Sequence, residues 1–229
     1  GMKEDLYRVR KDDKSDEQGF DVATWGASLQ LESGSTIGNL VYGIEYYRDS
    51  VGSYSRKYKA DGSLEKIEIQ GPVADDASYD NAGVFIQDTI SLFDGKLDLV
   101  PGVRYTYAGA TANTVKDPIT GKATSLEDDW STASGSLRLL YPITADRRHV
   151  VYGGFSQGFR APNLSDLTRL DIARSGEIET PAPGLEPEQY VACEIGLKCR
   201  TERVAAQAGC YYTTIDKMIV RTPTGRTVD

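Results

Sequence analysis

The chain has 229 residues, a formal net charge of −8 and 39% hydrophobic residues, enough for one sizeable core or two small ones and unlike a disordered composition. Its 26 basic residues are dispersed without a basic run, which argues against a nucleic-acid footprint. No window approaches the ~20 consecutive apolar residues of a membrane-spanning helix, and one histidine and two methionines leave little material for a multi-histidine metal or haem centre.

The N-terminus lacks the basic, apolar, small-residue order of a signal peptide, and Gly1 ahead of Met2 reads as a residue left by an expression tag. From there apolar residues recur at period two. Residues 3–10 give a first strand. Residues 20–32 place Ala23, Trp25, Ala27, Leu29 and Leu31 on one face, and Thr24, Gly26, Ser28 and Gln30 on the other. Residues 39–47 alternate Leu40, Tyr42, Ile44 and Tyr46. Strands at 81–92 and 96–107 flank Phe93, Asp94 and Gly95, which carry an Asp-Gly hairpin signal. Residues 130–141 set Leu137, Leu139 and Tyr141 against Ser134, Ser136 and Arg138. Segments 149–158, 188–200 and 203–215 complete about nine strands, longer than the ~5–6 residues usual in soluble sheets and suited to a tilted membrane crossing of ~9–11.

The connections alternate in length. Those at 11–19, 51–78, 111–129 and 159–187 are polar and mostly long, whereas 33–38, 93–95, 142–147 and 201–202 are short. This is the layout of an all-β, antiparallel up-and-down meander forming a segment of an outer-membrane β-barrel, with long extracellular loops and short periplasmic turns. The competing architecture is a soluble β-sandwich serving as a binding or adhesion module, in which the apolar faces would meet each other. The last long connection carries helix signals: Asn163 as cap, Asp166 at the third helical position, Leu164, Leu167 and Leu170 on one face, and Gly176 as the stop.

Asp75-Asp76 and Asp128-Asp129 read as solvated loop pairs, and there is no Gly-x-Ser-x-Gly elbow or phosphate-loop signature. No enzymatic reaction and no cofactor are implied. A turn at Thr201-Glu202 would set Cys193 opposite Cys210 on an apolar, lipid-side face. That register allows a cross-strand disulfide in an oxidising compartment; the alternative is two thiols facing lipid.

Gly158, Phe159, Arg160, Ala161 and Pro162, followed by Ala182-Pro183-Gly184-Leu185-Glu186-Pro187-Glu188 and then Glu194-Ile195-Gly196, resemble the barrel of TonB-dependent outer-membrane receptors. In that family a strand runs into Gly-Phe-Arg-Ala-Pro, an extracellular loop follows, and a box close to Asn-Pro-x-Leu-x-Pro-Glu leads into a strand containing Glu-x-Gly. Ala182 stands where the family usually has Asn. Physical reasons accompany the boxes. Pro162 fixes its own φ and biases Ala161 to extended geometry. Arg160 can pin a long loop to the barrel rim with its planar fork. Pro183 and Pro187 stiffen the return.

The resemblance implies energy-coupled uptake, across the bacterial outer membrane, of a scarce nutrient such as a ferric siderophore, haem or cobalamin. It implies outer-membrane lipid and TonB as partners, TonB being reached through a plug segment, with an iron chelate or similar ligand. Haem receptors of the family carry a ligand histidine between the two boxes. Residues 163–181 contain none, and the single His149 starts the preceding strand, so axial ligation there is not implied. The family barrel has about 22 strands. Residues 1–229 are therefore expected to form a single partial-barrel domain, without the plug domain or the remainder of the barrel and able to self-associate along open strand edges. Alternation nominates Arg104, Arg138, Glu194 and Lys198 on the lumen side. Arg160, Asn163, Arg169 and Arg174 are candidates in the loop, and so many arginines would favour an anionic ligand.

Overall fold

The computed structural model describes residues 1–9, 13–34, 37–172 and 178–223. The period-two segments become β1 (Met2–Val9), β2 (Ser15–Gly34), β3 (Gly38–Tyr58), β5 (Asp75–Leu92), β6 (Leu97–Lys116), β7 (Ala123–Pro142), β8 (His149–Arg160), β11 (Glu188–Arg200) and β12 (Ala205–Asp216), and a short β4 (Leu64–Ile67) forms within the connection assigned to 51–78. Between β8 and β11 lie α1 (Leu164–Thr168), β9 (Asp171–Ile172) and β10 (Ile178–Glu179). The main sheet runs β1-β2-β3-β5-β6-β7-β8-β11-β12, with β4 on β3 and β9-β10 as a separate ribbon. All neighbours are antiparallel, and β1 and β12 form its two edges.

One face of this sheet is apolar and uncovered. Leu29, Ile44, Val103 and Ile195 are 55%, 57%, 56% and 62% exposed, and no second sheet lies over them among the described residues. A β-sandwich would bury these side chains against a facing sheet, so that alternative is set aside. Hydrocarbon satisfies such a face where water does not, provided every strand N–H and C=O is paired within the sheet.

The opposite, inner face carries Ser28, Glu45, Arg104, Ser136 and Glu194. Large rings fit there by lying across glycines on the adjacent strand: Tyr47 over Gly26, Phe85 over Gly43 and Tyr152 over Gly196. A methyl group at Gly196 would come within 2.5 Å of the Tyr152 ring. Gly196 is the glycine of the Glu-x-Gly box, and its role here is to make room for that ring.

Four expectations need correction. First, the strands overrun the connections assigned to them. β2 and β3 have 20 and 21 residues, and β6 and β7 stay paired from Ala110↔Asp128 to Lys116↔Ala123, so 111–129 is mostly hairpin arm. Apolar periodicity stops where lipid stops, whereas backbone pairing does not need it. Second, Asp94 (φ 55°) and Gly95 (φ 80°) are the central residues of their turn as expected, closed by Lys96 N–H donating to Phe93 O at 3.3 Å, but Phe93 is left-handed as well (φ 54°) and β6 starts at Leu97 rather than at residue 96. Third, α1 ends at Thr168, and Leu170 instead donates its N–H to Pro72 O at 3.1 Å; Gly176 lies outside the described residues. Fourth, Cys193, Cys199 and Cys210 are all free. The β11–β12 turn closes between Thr201 and Val204 rather than at Thr201-Glu202, which moves Cys193 opposite Tyr212 and Cys210 opposite Ile195. The two thiols become diagonal neighbours, ~7–8 Å apart in a sheet, beyond disulfide reach.

Ile44→Arg on the apolar face is expected to cost ~2–4 kcal/mol of folding stability in lipid vesicles. Ser28→Arg, opposite Glu45 on the inner face, should be near neutral. Equal effects in a urea titration would overturn the face assignment. Thiol titration of the denatured, unreduced chain should return all three cysteines.

Candidate functional site

The buried part of the molecule sits at the end of the sheet that carries the long connections, against the inner face, and α1 is its centre. Asn163 caps the helix: its side chain accepts from the Asp166 N–H at 2.9 Å, and Asp166 accepts from the Asn163 N–H at 3.0 Å. Asp166 Oδ2 also receives Arg160 Nη2 at 2.8 Å. The other arm of the Arg160 fork lies 3.5 Å from Glu188 Oε1, because Arg160 and Glu188 are register partners at the ends of β8 and β11. Glu188 in turn accepts the Tyr190 hydroxyl and the Ile219 N–H, the latter at 2.8 Å. One guanidinium thus joins a strand end, the helix start, the return strand and the segment after β12.

The sequence shapes the wall to receive the helix. Leu164 and Leu167 are buried against Val51, Ala74, Ala77, Ala110, Ala112 and Leu126, where alanines leave room for leucines. The return of the loop is held by Trp130 Nε1 donating to Leu185 O at 3.0 Å and by Gly184 N donating to Asp128 Oδ2 at 3.2 Å. Among the other motif residues, Pro162 is fully buried, and Gly158 lies against the Tyr190 side chain opposite it.

A second connection, residues 68–74, is bolted to α1. Thr168 Oγ1 donates to Leu164 O at 2.6 Å and accepts from Ala74 N at 2.9 Å. Gln70 donates to Thr168 O at 2.9 Å and accepts from Lys116 N at 2.7 Å. Nearby, Glu68 is gripped by Lys57 at 2.6 Å and by Lys66 and Lys116 at 3.1 Å each. Burial pushes the Glu68 carboxyl up, but hydrogen bonds from the three lysines outweigh burial and hold it at about 2.

Arg169 pairs with Glu179 at 2.6 Å, and Arg221 reaches the same carboxylate at 2.5 Å. The lumen-side candidates stand outside the loop cluster as two inner-face pairs. Arg104 bonds Glu45 across Gly83 and donates to Thr106 at 3.0 Å, while Arg138 lies 3.6 Å from Glu194. Lys198 sits 5.0 Å over the Tyr152 ring. Arg104, Arg138, Arg160 and Arg169 are each matched by a carboxylate, so their number does not create a positive lumen. Arg174 lies outside the described residues.

Glu68, Gln70, Thr168 and Trp130 were not nominated from sequence. Only Trp130 carried a signal, being a large ring in register with Ser134 and Ser136 on a polar face. Beneath α1, a cavity of about 500 Å³ opens between the helix start, Pro72 and Val73, and the inner face of β1, β2 and β3. Among the described residues there is no helix long and apolar enough to cross a membrane and no group of three or more metal-ligating side chains.

The family described as TonB dependent receptor-like, beta-barrel matches residues 5–229. No curated protein matches the chain by sequence. Similar solved structures include the copper transporter OprC, with 19% identity and a TM-score of 0.69 over 88% of this chain and 31% of that one. A double mutant of the Serratia marcescens hemophore receptor HasR, in complex with its hemophore HasA and heme, gives 19% and 0.68 over 93% and 38%. The ferric citrate transporter FecA in its unliganded form gives 16% and 0.61 over 95% and 31%. At these identities the likeness is one of fold, and the chain spans about a third of the length of each.

Because Glu68 titrates at about 2 when folded against 4.5 as a free side chain, its contribution is complete above pH 4.5 and is lost as pH falls through about 2. Hydrogen-exchange protection of residues 59–74, corrected for intrinsic rate, should decline over that window in the wild type. In Glu68→Gln it should already be low near neutral pH. Gln70→Ala leaves Thr168 O and Lys116 N unpaired, and should cost ~1–3 kcal/mol of local stability by the same measurement.

Proposed function

Because the chain belongs to the β-barrel family of TonB-dependent receptors, we propose that residues 1–229 form one domain, a stretch of receptor wall with the extracellular loops that fold over its lumen. The whole receptor would take up a scarce nutrient across the bacterial outer membrane, with energy delivered through TonB. The observation that carries this reading is the inward-folded loop, described at residues 161–172 and 178–187. It is tied by Arg160 to Asp166 and Glu188 and seated on the inner face by Leu164 and Leu167. A loop built in this way closes the lumen from outside and marks the side on which ligand arrives.

Lipid would cover the apolar face. A plug segment would occupy the inner face at the end away from α1 and reach TonB, and further wall strands would join at β1 and β12. Those same edges would pair with a second copy if the segment stood alone. The proteins similar in fold are named for copper, haem and ferric citrate, and the cargo proposed here is a ferric siderophore, haem or cobalamin. Residues 163–181 hold no histidine, which favours a siderophore or another chelate over haem ligated at that loop.

The test is uptake of labelled ferric siderophore, haem and cobalamin by cells producing the full-length receptor. Uptake of one of them is expected to require TonB and to fall severalfold in Arg160→Ala. Arg160→Lys should not restore it, because an ammonium lacks the fork that spans Asp166 and Glu188. Uptake that persists without TonB would sink the receptor reading, and uptake unchanged in both variants would remove the loop anchor from it.

A further inference from the structure

The cavity beneath α1 has the charge opposite to the one that an arginine count suggests. Its volume of about 500 Å³ lies within the range of small-molecule sites. Arg169, the one basic residue in its lining among the described residues, is committed to Glu179 at 2.6 Å. Glu4 and Asp49 also line the cavity, and neither has a basic partner within ion-pairing distance among the described residues; Asp49 accepts a hydroxyl, from Thr24 at 2.6 Å. Arg8, next to the cavity on β1, is held by Asp16 at 3.1 Å. Two aromatic rings, Phe20 and Tyr79, share the lining with an apolar wall that includes Leu164. Two carboxylates without a basic partner, in one lining with two aromatic rings, form an environment that attracts a cation and repels an anion.

We propose that this cavity binds an organic cation, an ammonium or guanidinium carried on an apolar frame, either as the transported molecule or as the part of it seated under α1. The proposal rests on the reading of the chain as receptor wall with an inward-folded loop. It assigns Asp49 and Glu4 to charge recognition, and Phe20 and Tyr79 to the cation's apolar surround. The loop arginines are left to hold the site together rather than to contact the ligand.

Tetraphenylphosphonium and tetraphenylborate, isosteric ions of opposite sign, serve as probes in equilibrium dialysis against the purified full-length receptor. The wild type is expected to bind the phosphonium at least about tenfold more tightly than the borate. Asp49→Asn with Glu4→Gln should remove that preference, since the amide at position 49 would retain an oxygen for the Thr24 hydroxyl and the fold would stand. Phe20→Leu should weaken the phosphonium alone. Asp21→Asn, an exposed carboxylate outside the lining, should change nothing and controls for general surface charge. Equal binding of the two ions, a preference for the borate, or a preference surviving in the double variant would each overturn the proposal. Phosphonium binding in a receptor with no TonB-dependent uptake would count against the transport reading alone. TonB-dependent uptake with no cation preference would count against the cavity assignment alone.

Discussion

A sheet with one bare apolar face persists only in an apolar medium, and in that medium each backbone N–H and C=O must find its partner inside the sheet. The rest of the molecule follows from this pairing. Sequential strands neighbour one another from β1 to β12, apart from the short β4 and the β9-β10 ribbon, because a hairpin is the shortest way to close each ladder. Tyr47, Phe85 and Tyr152 lie across Gly26, Gly43 and Gly196, so large rings are accommodated on the inner face without breaking a ladder.

Giving the outer face to lipid leaves the molecule without an ordinary core, and the apolar burial it has is gathered at the extracellular end. There the strands have outgrown the membrane, their inner faces turn to alanine, and α1 fills the space. The helix has only five residues and gains little from its own backbone bonds. Its position depends on the Asn163–Asp166 capping box, the Arg160 fork and the Gln70 and Thr168 bonds to the neighbouring connection. Two loops far apart in sequence are therefore one mechanical unit.

Electrostatics divides the same region into two parts. Arginines and lysines are spent on carboxylates that organise loops: Arg160 on Asp166 and Glu188, Arg169 and Arg221 on Glu179, and three lysines on Glu68. What remains unmatched in the cavity is acidic, at Glu4 and Asp49. Counting basic residues along the chain suggests the opposite sign, because a count does not register which charges have already been paired.

The alternation of Leu29, Ile44, Val103 and Leu139 with polar neighbours determined by itself that this is a sheet with two unlike faces. Prolines and the Gly-Phe-Arg-Ala-Pro stretch determined where its wall opens into a loop. Such features are local, set by side-chain period and by fixed φ, and they survive in a one-dimensional reading. Strand ends were not legible, since pairing continues past the lipid into segments such as 108–116 that have lost the apolar signal. The placement of Cys193 depended on a turn two residues longer than the minimal one, and in a sheet a two-residue shift keeps every side chain on its face while changing its partner. The Asn163 cap and the Arg160 anchor were legible locally, but the contacts that complete the site were decided by tertiary structure: Gln70 meets Thr168 across 98 positions of chain, and Asp49 lines a cavity whose one arginine, Arg169, is taken by Glu179. Contacts at such separation leave no periodic trace in a sequence, because they arise only when the loops fold back onto the wall.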